Sequence, residues 1–436
     1  MNVLIAILIL MLTMAIGVPV ALAFVASSAY LLVTTGTDSL FLLPYGFSRV
    51  NSIVLLTIPM FILAGSLMEH GGIGKKLISA VERLVGTVRG GLAIVTIVSC
   101  AVFGAISGSS AATLTSIGSI MAPQLKDNGY PDSLVGALIA SSSVLGVLIP
   151  PSTIMILYSW TSNTSVLACF LATAIPGVIL AILFSIVTCF LIRNNQNVVV
   201  YTKEELREKN RREKEERMRT HEPGALAAVL MPVIILGSIY GGVLTPTEAA
   251  AISVAYALPV GWLVYRKLNF EVVKKVFSQA AVTTGVIMLM MITVQMLSRL
   301  YIQQNLPSMV LNMLTSISSN RSVILLMVNL FMIILGMLMD DGSGVLLATP
   351  ILVPVVTSLG ISPIHFAAIL AVNLGMGNIT PPTAPLLYLA GRMTNTETRV
   401  MLKPTLQYIL FAWLPTLLLV TYIPQISLFL PGLMGY

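Results

Sequence analysis

Four interruptions of apolar sequence contain the residues whose types and spacing could bind a small cation and an organic anion. Two are short polar runs, SGSS at 107–110 and DDGSG at 340–344, and two place a Pro-Pro pair shortly after a glycine, at 146–152 and 375–383. Proline removes a backbone N–H donor and clashes with the preceding turn, so each pair is expected to unwind its helix. Unwound backbone exposes carbonyl oxygens that coordinate a cation, and the following half-helix directs N–H groups and a positive dipole end towards an anion.

No lysine or arginine lies in any of these four breaks. An anionic substrate would therefore be held by helix N-termini, by a co-bound cation and by polar side chains. Because the cation forms part of the anion site, the pattern predicts obligatory coupling of the two. A single break would be explained as a packing kink in which Gly and Ser let helices approach. Four breaks in matching positions favour a binding site, whose candidate substrate-binding side chains are Ser109, Ser110, Asn378 and Thr383.

Three acidic residues in or beside apolar sequence need separate interpretations. Asp340 and Asp341 could be cation ligands, a proton relay or a solvated hairpin tip, and the sequence leaves all three roles open. Glu248 ends the motif TPTE at 245–248, which predicts a capping box with proline at the first helical position.

The two halves of the chain resemble each other at an offset of about 231 residues. Pro123 pairs with Pro354, the Pro-Pro pair at 150–151 pairs with that at 381–382, and SNT at 162–164 pairs with TNT at 394–396. Several matches in one order at one offset indicate an internal duplication. The predicted crossings lie at 2–16, 17–35, 52–70, 130–160 and 167–192 in the first half and at 225–241, 246–265, 277–298, 360–391 and 404–430 in the second. Because each half contains five crossings, an odd number, the second copy must be inverted relative to the first. Inverted-topology repeats are typical of secondary transporters.

The composition requires a membrane protein, because 56% of the 436 residues are hydrophobic and only 9% are charged. Soluble enzymes, nucleic-acid binders and disordered scaffolds are thereby excluded. We predict an all-α polytopic fold in which each repeat has five crossings and a re-entrant hairpin. The predicted units are a first repeat at 1–192 with an arm at 71–90, a hairpin at 92–125 and a broken helix at 130–160; a charged linker at 193–223; and a second repeat at 224–436 with an arm at 303–322, a hairpin at 323–358 and a broken helix at 360–391.

The distribution of basic residues predicts the orientation. Residues 193–222 hold nine Lys/Arg and seven Asp/Glu, a mixed-charge run that cannot enter hydrocarbon. With the N-terminus outside, 21 of the 24 Lys/Arg fall on the inner side, as the positive-inside rule requires. Only Arg49, Arg299 and Arg321 then lie outside. We expect a multi-pass protein of a bacterial inner membrane, with periplasmic termini and a cytoplasmic linker.

Several motifs together resemble the large membrane (M) subunit of tripartite ATP-independent periplasmic (TRAP) transporters. They are GAISGSSAAT and MAP in the first hairpin, IPPS in the first broken helix, TPTEAAA at 245–251, TPILVP after the second hairpin tip, and ITPPT at 379–383. The resemblance covers nearly the whole chain. It implies an elevator-type transporter in which a sodium gradient drives uptake of an organic acid delivered by a soluble periplasmic binding protein (P subunit). It further implies a small four-helix membrane (Q) subunit, which we expect to be a separate chain.

The resemblance also implies two or more Na⁺ sites near the hairpin tips and broken helices. The positions that match are Ser107, Gly108, Ser110, Gly146 and Pro150 for one site, and Gly342, Gly375, Thr380 and Pro381 for the other. Members that resemble dicarboxylate carriers often have the motif NLxIGxxTPPVG, whereas this chain has Asn378 and Thr383 within NLGMGNITPPTA. Those polar additions favour a hydroxylated sugar acid such as sialic acid (N-acetylneuraminate) over a C4-dicarboxylate.

Two alternatives of other classes remain at this point. An intramembrane hydrolase could use Ser107 or Ser109 as nucleophile, or Asp340 as a protease carboxylate. Such chemistry needs a base beside the nucleophile, and His365, the one membrane-region histidine of the second half, is expected to be an interfacial residue. The second alternative is a passive channel.

Overall fold

A computed structural model describes residues 2–85, 90–193, 195, 197–199, 205, 208, 211, 223–381 and 383–436. In these ranges every regular element is helical. Most of the predicted charged linker, residues 86–89 of the first predicted arm, and Pro382 lie outside the described residues.

The first half begins with short apolar helices and continues with an arm, a hairpin and a broken helix. Its elements are α1 (Asn2–Ala15), α2 (Val20–Thr35), α3 (Leu42–Val50), a 3₁₀ turn (Ile53–Leu56), α4 (Thr57–His70), α5 (Ile73–Val85), α6 (Gly91–Ser107), α7 (Ser110–Asp127), α8 (Asp132–Ser143), α9 (Leu145–Leu148), α10 (Thr153–Ser162) and α11 (Val166–Ile192).

The second half repeats this order without a counterpart of the separate short helix α3. Its elements are α12 (Leu226–Tyr240), α13 (Pro246–Pro259) with a π-helical turn (Val260–Val264), α14 (Phe270–Gln303), α15 (Leu306–Ile317), α16 (Arg321–Leu338), α17 (Asp341–Ser358), α18 (Pro363–Gly377), α19 (Pro385–Thr394), α20 (Thr398–Tyr408) with a π-helical turn (Ile409–Trp413), α21 (Leu414–Tyr422) and α22 (Pro424–Leu433).

Helices of these lengths meet the requirement for membrane crossing to different degrees. In the described ranges, seven helical stretches are long and apolar enough to cross, or eight if the bent pair Asp132–Leu148 and Thr153–Ser162 counts as one span. The predicted crossings at 2–16, 17–35 and 225–241 form the shorter helices α1, α2 and α12. Conversely, the hairpin helices α16 and α17 have 18 residues each and satisfy the length criterion. Length alone therefore does not distinguish a re-entrant arm from a crossing.

The helices pack into two groups. The scaffold group contains α1–α4 and α12–α14, with α14 packed on α2, α3 and α4. The core group contains the two hairpins, the two broken helices and α11 with α20–α22. Within the core group the half-helices are exchanged between repeats, because α10 packs on α17 and α18 while α19 packs on α7 and α8. Each repeat thus contributes helices that pack against the half-helix of the other repeat.

Several local predictions can be compared directly with this fold. The capping box is confirmed: the Thr245 amide donates to the Glu248 carboxylate at 2.8 Å, and the Glu248 amide donates to Thr245 Oγ1 at 3.3 Å. The expectation for His365 is wrong, since this side chain is buried and its Nε2 lies 2.8 Å from the Val420 carbonyl oxygen. The position of a histidine at a helix start, next to an apolar run, does not show whether other helices will bury its side chain.

Candidate functional site

The first hairpin tip is formed by a left-handed glycine that docks onto the first broken helix. Gly108 ends α6 with φ +62°, and its carbonyl oxygen accepts from the Thr153 amide at 3.2 Å. A Cβ at Gly108 would lie 3.0 Å from both the Thr153 nitrogen and its Oγ1. Glycine adopts this left-handed φ without strain, and a side chain here would crowd Thr153. The tip and the N-terminus of half-helix α10 are therefore in direct contact.

Gly146, on the N-terminal side of the first break, packs against the same hairpin tip. A Cβ at this position would lie 2.5 Å from Thr113 Oγ1 and 3.1 Å from the Ser109 carbonyl oxygen. Thr113 Oγ1 donates to the Ser109 carbonyl at 2.8 Å and lies 3.1 Å from Ser107 Oγ. The cis bond between Pro150 and Pro151 begins four residues after Gly146. The positions predicted for the first cation site thus lie around one hairpin tip and one break.

Oxygen atoms at this break are left without partners. Ser152 Oγ and Thr153 Oγ1 are buried and make no hydrogen bond within the described part of the chain. Buried polar atoms are normally satisfied, so unpaired oxygens beside a glycine-lined tip suit a small cation. Neither Thr113 nor Thr153 was among the residues predicted from the sequence. A hydroxyl residue directly after the Pro-Pro-Ser run was the available signal for Thr153.

At the second hairpin tip, adjacent aspartates have different roles. Asp340 caps α17, and its carboxylate accepts from the amides of Gly342 at 3.1 Å and Ser343 at 3.4 Å. Asp341 is the first residue of α17 and is 8% exposed. The solvated-tip interpretation is therefore wrong for Asp341, because the hairpin turns its side chain into the protein.

The Asp341 carboxylate joins the two repeats. Ser110 Oγ donates to Asp341 Oδ2 at 2.6 Å, and Asn378 Nδ2 donates to Asp341 Oδ1. Ser110 and Asp341 are 231 residues apart, which is the offset of the duplication. Equivalent residues touch each other only where a symmetry axis passes between them. The approximate two-fold axis therefore runs between the two hairpin tips.

A second pair of equivalent residues meets between the broken helices. A Cβ at Gly375 would lie 2.5 Å from Val144 Cγ1 and 2.8 Å from the Trp413 ring, and Val144 is also 231 residues before Gly375. Gly375, predicted at the second cation site, thus lies at a contact between the two repeats. The counterpart of Gly146 at this offset is Gly377, where a Cβ would lie 2.5 Å from the Gly336 carbonyl carbon.

The second break contains the remaining predicted residues. Thr380 Oγ1 donates to the Met376 carbonyl at 2.6 Å, and the Leu386 amide donates to the Asn378 carbonyl at 3.2 Å. Asn378 is 2% exposed, and its Oδ1 has no partner among the described residues. Thr383 is exposed, in the loop that ends at α19. Gly342 approaches Leu157 of half-helix α10, so it faces the first break's half-helix.

The electrostatics of the site follow from the buried carboxylate. In the described ranges, no Lys, Arg or His forms an ion pair with Asp341, whose two donors are a hydroxyl and an amide. A buried charge is costly unless a partner compensates it. The described residues also contain no group of three or more His, Cys, Asp or Glu that could hold a metal. The available ligands are hydroxyl, carbonyl and carboxylate oxygens, which suit a hard monovalent cation better than zinc.

Comparison with known proteins identifies the family. The family model for the DctM component of the tripartite ATP-independent periplasmic transporter matches residues 7–426. The chain belongs to this family. The DctM family consists of transporter components, so the chain is a multi-pass membrane permease subunit and not the hydrolase considered above.

Relatives in this family have different named substrates. The sialic acid large permease protein SiaM of Vibrio cholerae is 34% identical over 96% of this chain and 96% of its own length. The C4-dicarboxylate large permease protein DctM of Pseudomonas aeruginosa is 33% identical over 89% of this chain and 88% of its own. The isethionate permease protein DctMQ of Oleidesulfovibrio alaskensis is 30% identical over 96% of this chain. The match covers 64% of the length of that longer relative.

A solved structure supports the fold of this DctM-family chain. The crystal structure of the YdaH transporter from Alcanivorax borkumensis superposes with a TM-score of 0.67, covering 92% of this chain and 97% of that one. The two sequences are 15% identical, so the likeness concerns the fold alone.

Proposed function

We propose that this DctM-family permease subunit performs sodium-coupled uptake of an organic acid. The observation that carries the proposal is the buried Asp341 carboxylate, which two neutral donors of the described residues, Ser110 and Asn378, hold between the two repeats. A bound Na⁺ near the tips would compensate this charge. It would also attract an acidic substrate, because the four breaks contain no Lys or Arg that could bind one. Cation and anion binding would then depend on each other.

The residues that would hold sodium surround the two tips. At the first site these are Ser107, Gly108, Ser110, Gly146 and Pro150, to which the unpaired hydroxyls of Ser152 and Thr153 add. At the second site they are Gly342, Gly375, Thr380 and Pro381. Gly342 and Gly375 have no side chains, so each would contribute its backbone carbonyl oxygen.

A hydroxylated sugar acid such as sialic acid is the favoured substrate, ahead of a C4-dicarboxylate. The free oxygen of Asn378 is an acceptor, and an acceptor binds a substrate hydroxyl but gains nothing from an unsubstituted dicarboxylate. The identities to the sialic acid and C4-dicarboxylate permeases, 34% and 33%, are too close to separate the two.

The assembly follows the tripartite system for which the family is named. We propose that a periplasmic binding protein delivers the substrate and that a separate small four-helix membrane subunit completes the permease in a bacterial inner membrane. The termini would be periplasmic and the charged linker cytoplasmic, as the basic residues predict.

Proteoliposomes test the coupling. With the purified chain, small subunit and binding protein, uptake of labelled sialic acid should require an inward sodium gradient and should fall to background when potassium replaces sodium. Ser110→Leu or Thr380→Leu should abolish uptake or lower its sodium dependence, because each places an apolar side chain at a predicted cation site. Uptake that continues undiminished without sodium would reject the coupling. Saturation and counterflow distinguish a carrier from a channel.

An elevator motion requires the core group to slide past the scaffold group. The contact between α10 and α3 is one of those that would have to break. Trp160 of α10 donates from Nε1 to the Arg49 carbonyl of α3 at 3.2 Å, and the Arg49 guanidinium carbon lies 6.0 Å from the Trp160 ring centroid. Such a cation–π contact between partly exposed groups is weak enough to open. α3 itself packs closely on α14, since a Cβ at Gly46 of α3 would lie 2.9 Å from the carbonyl oxygen of Ile292 in α14.

Joining these two positions should stop transport. In a background without Cys100, Cys169 and Cys189, the pair Arg49→Cys and Trp160→Cys is linked with a short, cleavable bis-maleimide. We expect uptake to disappear on linking and to return on cleavage, because α10 can no longer leave α3. The single Arg49→Cys variant treated in the same way is the control. Full uptake by the linked protein would rule out relative movement at this contact.

A further inference from the structure

The end of α13 and the start of α5 form a closely packed corner where the arm leaves the scaffold group. A Cβ at Gly71, between α4 and α5, would lie 3.3 Å from the Cα of Gly261 in the π-helical turn after α13. A Cβ at Gly72 would lie 3.1 Å from Lys267 Cγ. The basic loop between α13 and α14 is therefore held beside the first turn of α5.

Hydrogen bonds hold this loop in one conformation. The Tyr265 amide donates to the Val260 carbonyl oxygen at 2.8 Å, and the Tyr265 hydroxyl accepts from the Ala228 amide at 3.0 Å. The second bond attaches the loop to the start of α12. Arg266 follows with a φ of +53°, a left-handed conformation that is uncommon for a residue with a long side chain. The loop thus presents two adjacent basic side chains, Arg266 and Lys267, from a fixed backbone.

The basic side chains at this corner lack acidic partners. Lys75 in the first turn of α5, Arg266 and Lys267 are all exposed. Within the ranges that the structure describes, none of the three forms an ion pair. The nearest acidic residues along the chain, Glu69 and Glu271, are exposed as well. The corner therefore carries an excess of positive charge that the described part of the chain does not neutralise.

Exposed apolar side chains flank these charges. Trp262 and Leu263 of the π-helical turn are 36% and 68% exposed, and Phe270 at the start of α14 is 70% exposed. Aromatic side chains of membrane proteins concentrate at the level of the lipid head groups. The distribution of basic residues predicts that this corner is cytoplasmic, and the cytoplasmic leaflet is the one with a negative surface potential. The corner therefore suits a ligand with one anionic and one apolar part.

We propose that this corner binds one anionic phospholipid, whose phosphate contacts Lys75, Arg266 and Lys267. Its acyl chains lie against Trp262 and Phe270. Arginine binds phosphate oxygens through its planar fork, and lysine binds them as a point charge. Because α5 packs on the hairpin helix α6, the bound head group lies where the arm joins the scaffold. The site is separate from the hairpin tips and does not depend on sodium coupling.

Native mass spectrometry of the delipidated full chain in detergent tests the site. Dioleoylphosphatidylglycerol and dioleoylphosphatidylcholine are titrated separately, and the Kd of the first bound lipid is measured for each. Combining Arg266→Gln with Lys267→Gln should weaken binding of phosphatidylglycerol about 25-fold, or about fivefold per basic residue, and leave that of phosphatidylcholine unchanged. Lys75→Gln, on a different helix, should weaken phosphatidylglycerol binding about fivefold.

Thermal unfolding provides an independent measurement and shows whether the variants fold. In phosphatidylcholine, the double variant should unfold at the same midpoint as the wild type. Added phosphatidylglycerol should raise the midpoint of the wild type only, because a ligand stabilises the protein that binds it. Glycerol phosphate, which has the phosphate but no acyl chains, should not raise it. An equal rise with glycerol phosphate would show a site for soluble phosphate and would overturn the assignment to a lipid.

A second double variant controls for the loss of charge. Arg399→Gln with Lys403→Gln removes two exposed basic side chains from α20, on the same predicted face, and α20 has no exposed aromatic residue. Its Kd for phosphatidylglycerol should stay within about twofold of the wild type, as expected for exposed charges outside a site. Equal losses in the two double variants would indicate general attraction to charge and overturn the proposal, as would equal affinity of the wild type for the two lipids.

Discussion

Replacing Asp341 with asparagine is expected to reduce sodium-driven uptake by about 100-fold or more, because Asp341 would be the buried charge that pairs with the proposed Na⁺, and removing one partner of a buried charge pair costs about 3–5 kcal/mol. Ser110 and Asn378 both donate to this carboxylate. Asparagine keeps the shape but offers one acceptor oxygen and an NH₂ group, so one of the two donors would face another donor. The measurement is the initial rate of uptake as a function of sodium concentration in proteoliposomes.

The neighbouring acid provides the matched control. Asp340→Asn makes the same chemical change one residue away, but Asp340 caps α17 and asparagine is an equally good N-cap. We therefore expect its uptake to stay within about twofold of the wild type, the range of a well-tolerated cap exchange. Similar losses in both variants would show that the tip needs acidic residues generally. Uptake driven by a pH gradient without sodium would instead assign Asp341 to proton transfer.

Replacing Gly104 with alanine is expected to destabilise the protein strongly and to abolish transport. A Cβ at this position would lie 2.1 Å from the Cα of Gly146, so the first hairpin and the first broken helix could not keep their present approach. Overpacking a core typically costs about 1–3 kcal/mol, and a backbone atom cannot move aside as a side chain can. Gly377→Ala should behave similarly, because its Cβ would lie 2.6 Å from the Cα of Gly336.

Thermal unfolding of the detergent-solubilised protein measures this effect. Gly285 in α14 is the control, because a Cβ there would meet nothing within 4 Å. Alanine is the better helix former by about 1 kcal/mol, so Gly285→Ala should leave the midpoint unchanged or raise it. An unfolding midpoint for Gly104→Ala equal to that of the wild type would show that the two helices separate without cost.

Local sequence patterns predicted much of this architecture. Apolar runs predicted the helices, Pro-Pro pairs after glycine predicted both breaks, and TPTE predicted the cap of α13. The offset read from prolines and glycines reappears in space as the contact between Ser110 and Asp341. These features follow from the sequence because each depends on neighbouring residues or on a repeated local pattern.

The functions of particular side chains depended on distant parts of the chain. Asp340 and Asp341 are chemically identical neighbours, yet one caps a helix and the other bridges two repeats. Gly375 and Gly377 both precede the second break, but Gly375 packs against the other repeat and Gly377 against its own hairpin. No local pattern distinguishes the members of either pair.

The sequence by itself determined the membrane class, the duplication and the four breaks, because hydropathy, proline chemistry and internal similarity act within short segments. The tertiary structure decided which atoms meet at those breaks, including Ser110 Oγ and the Asp341 carboxylate. Exchange of half-helices between the repeats brings together residues more than 200 positions apart. Such contacts are set by how whole helices pack against one another, which no short stretch of sequence specifies.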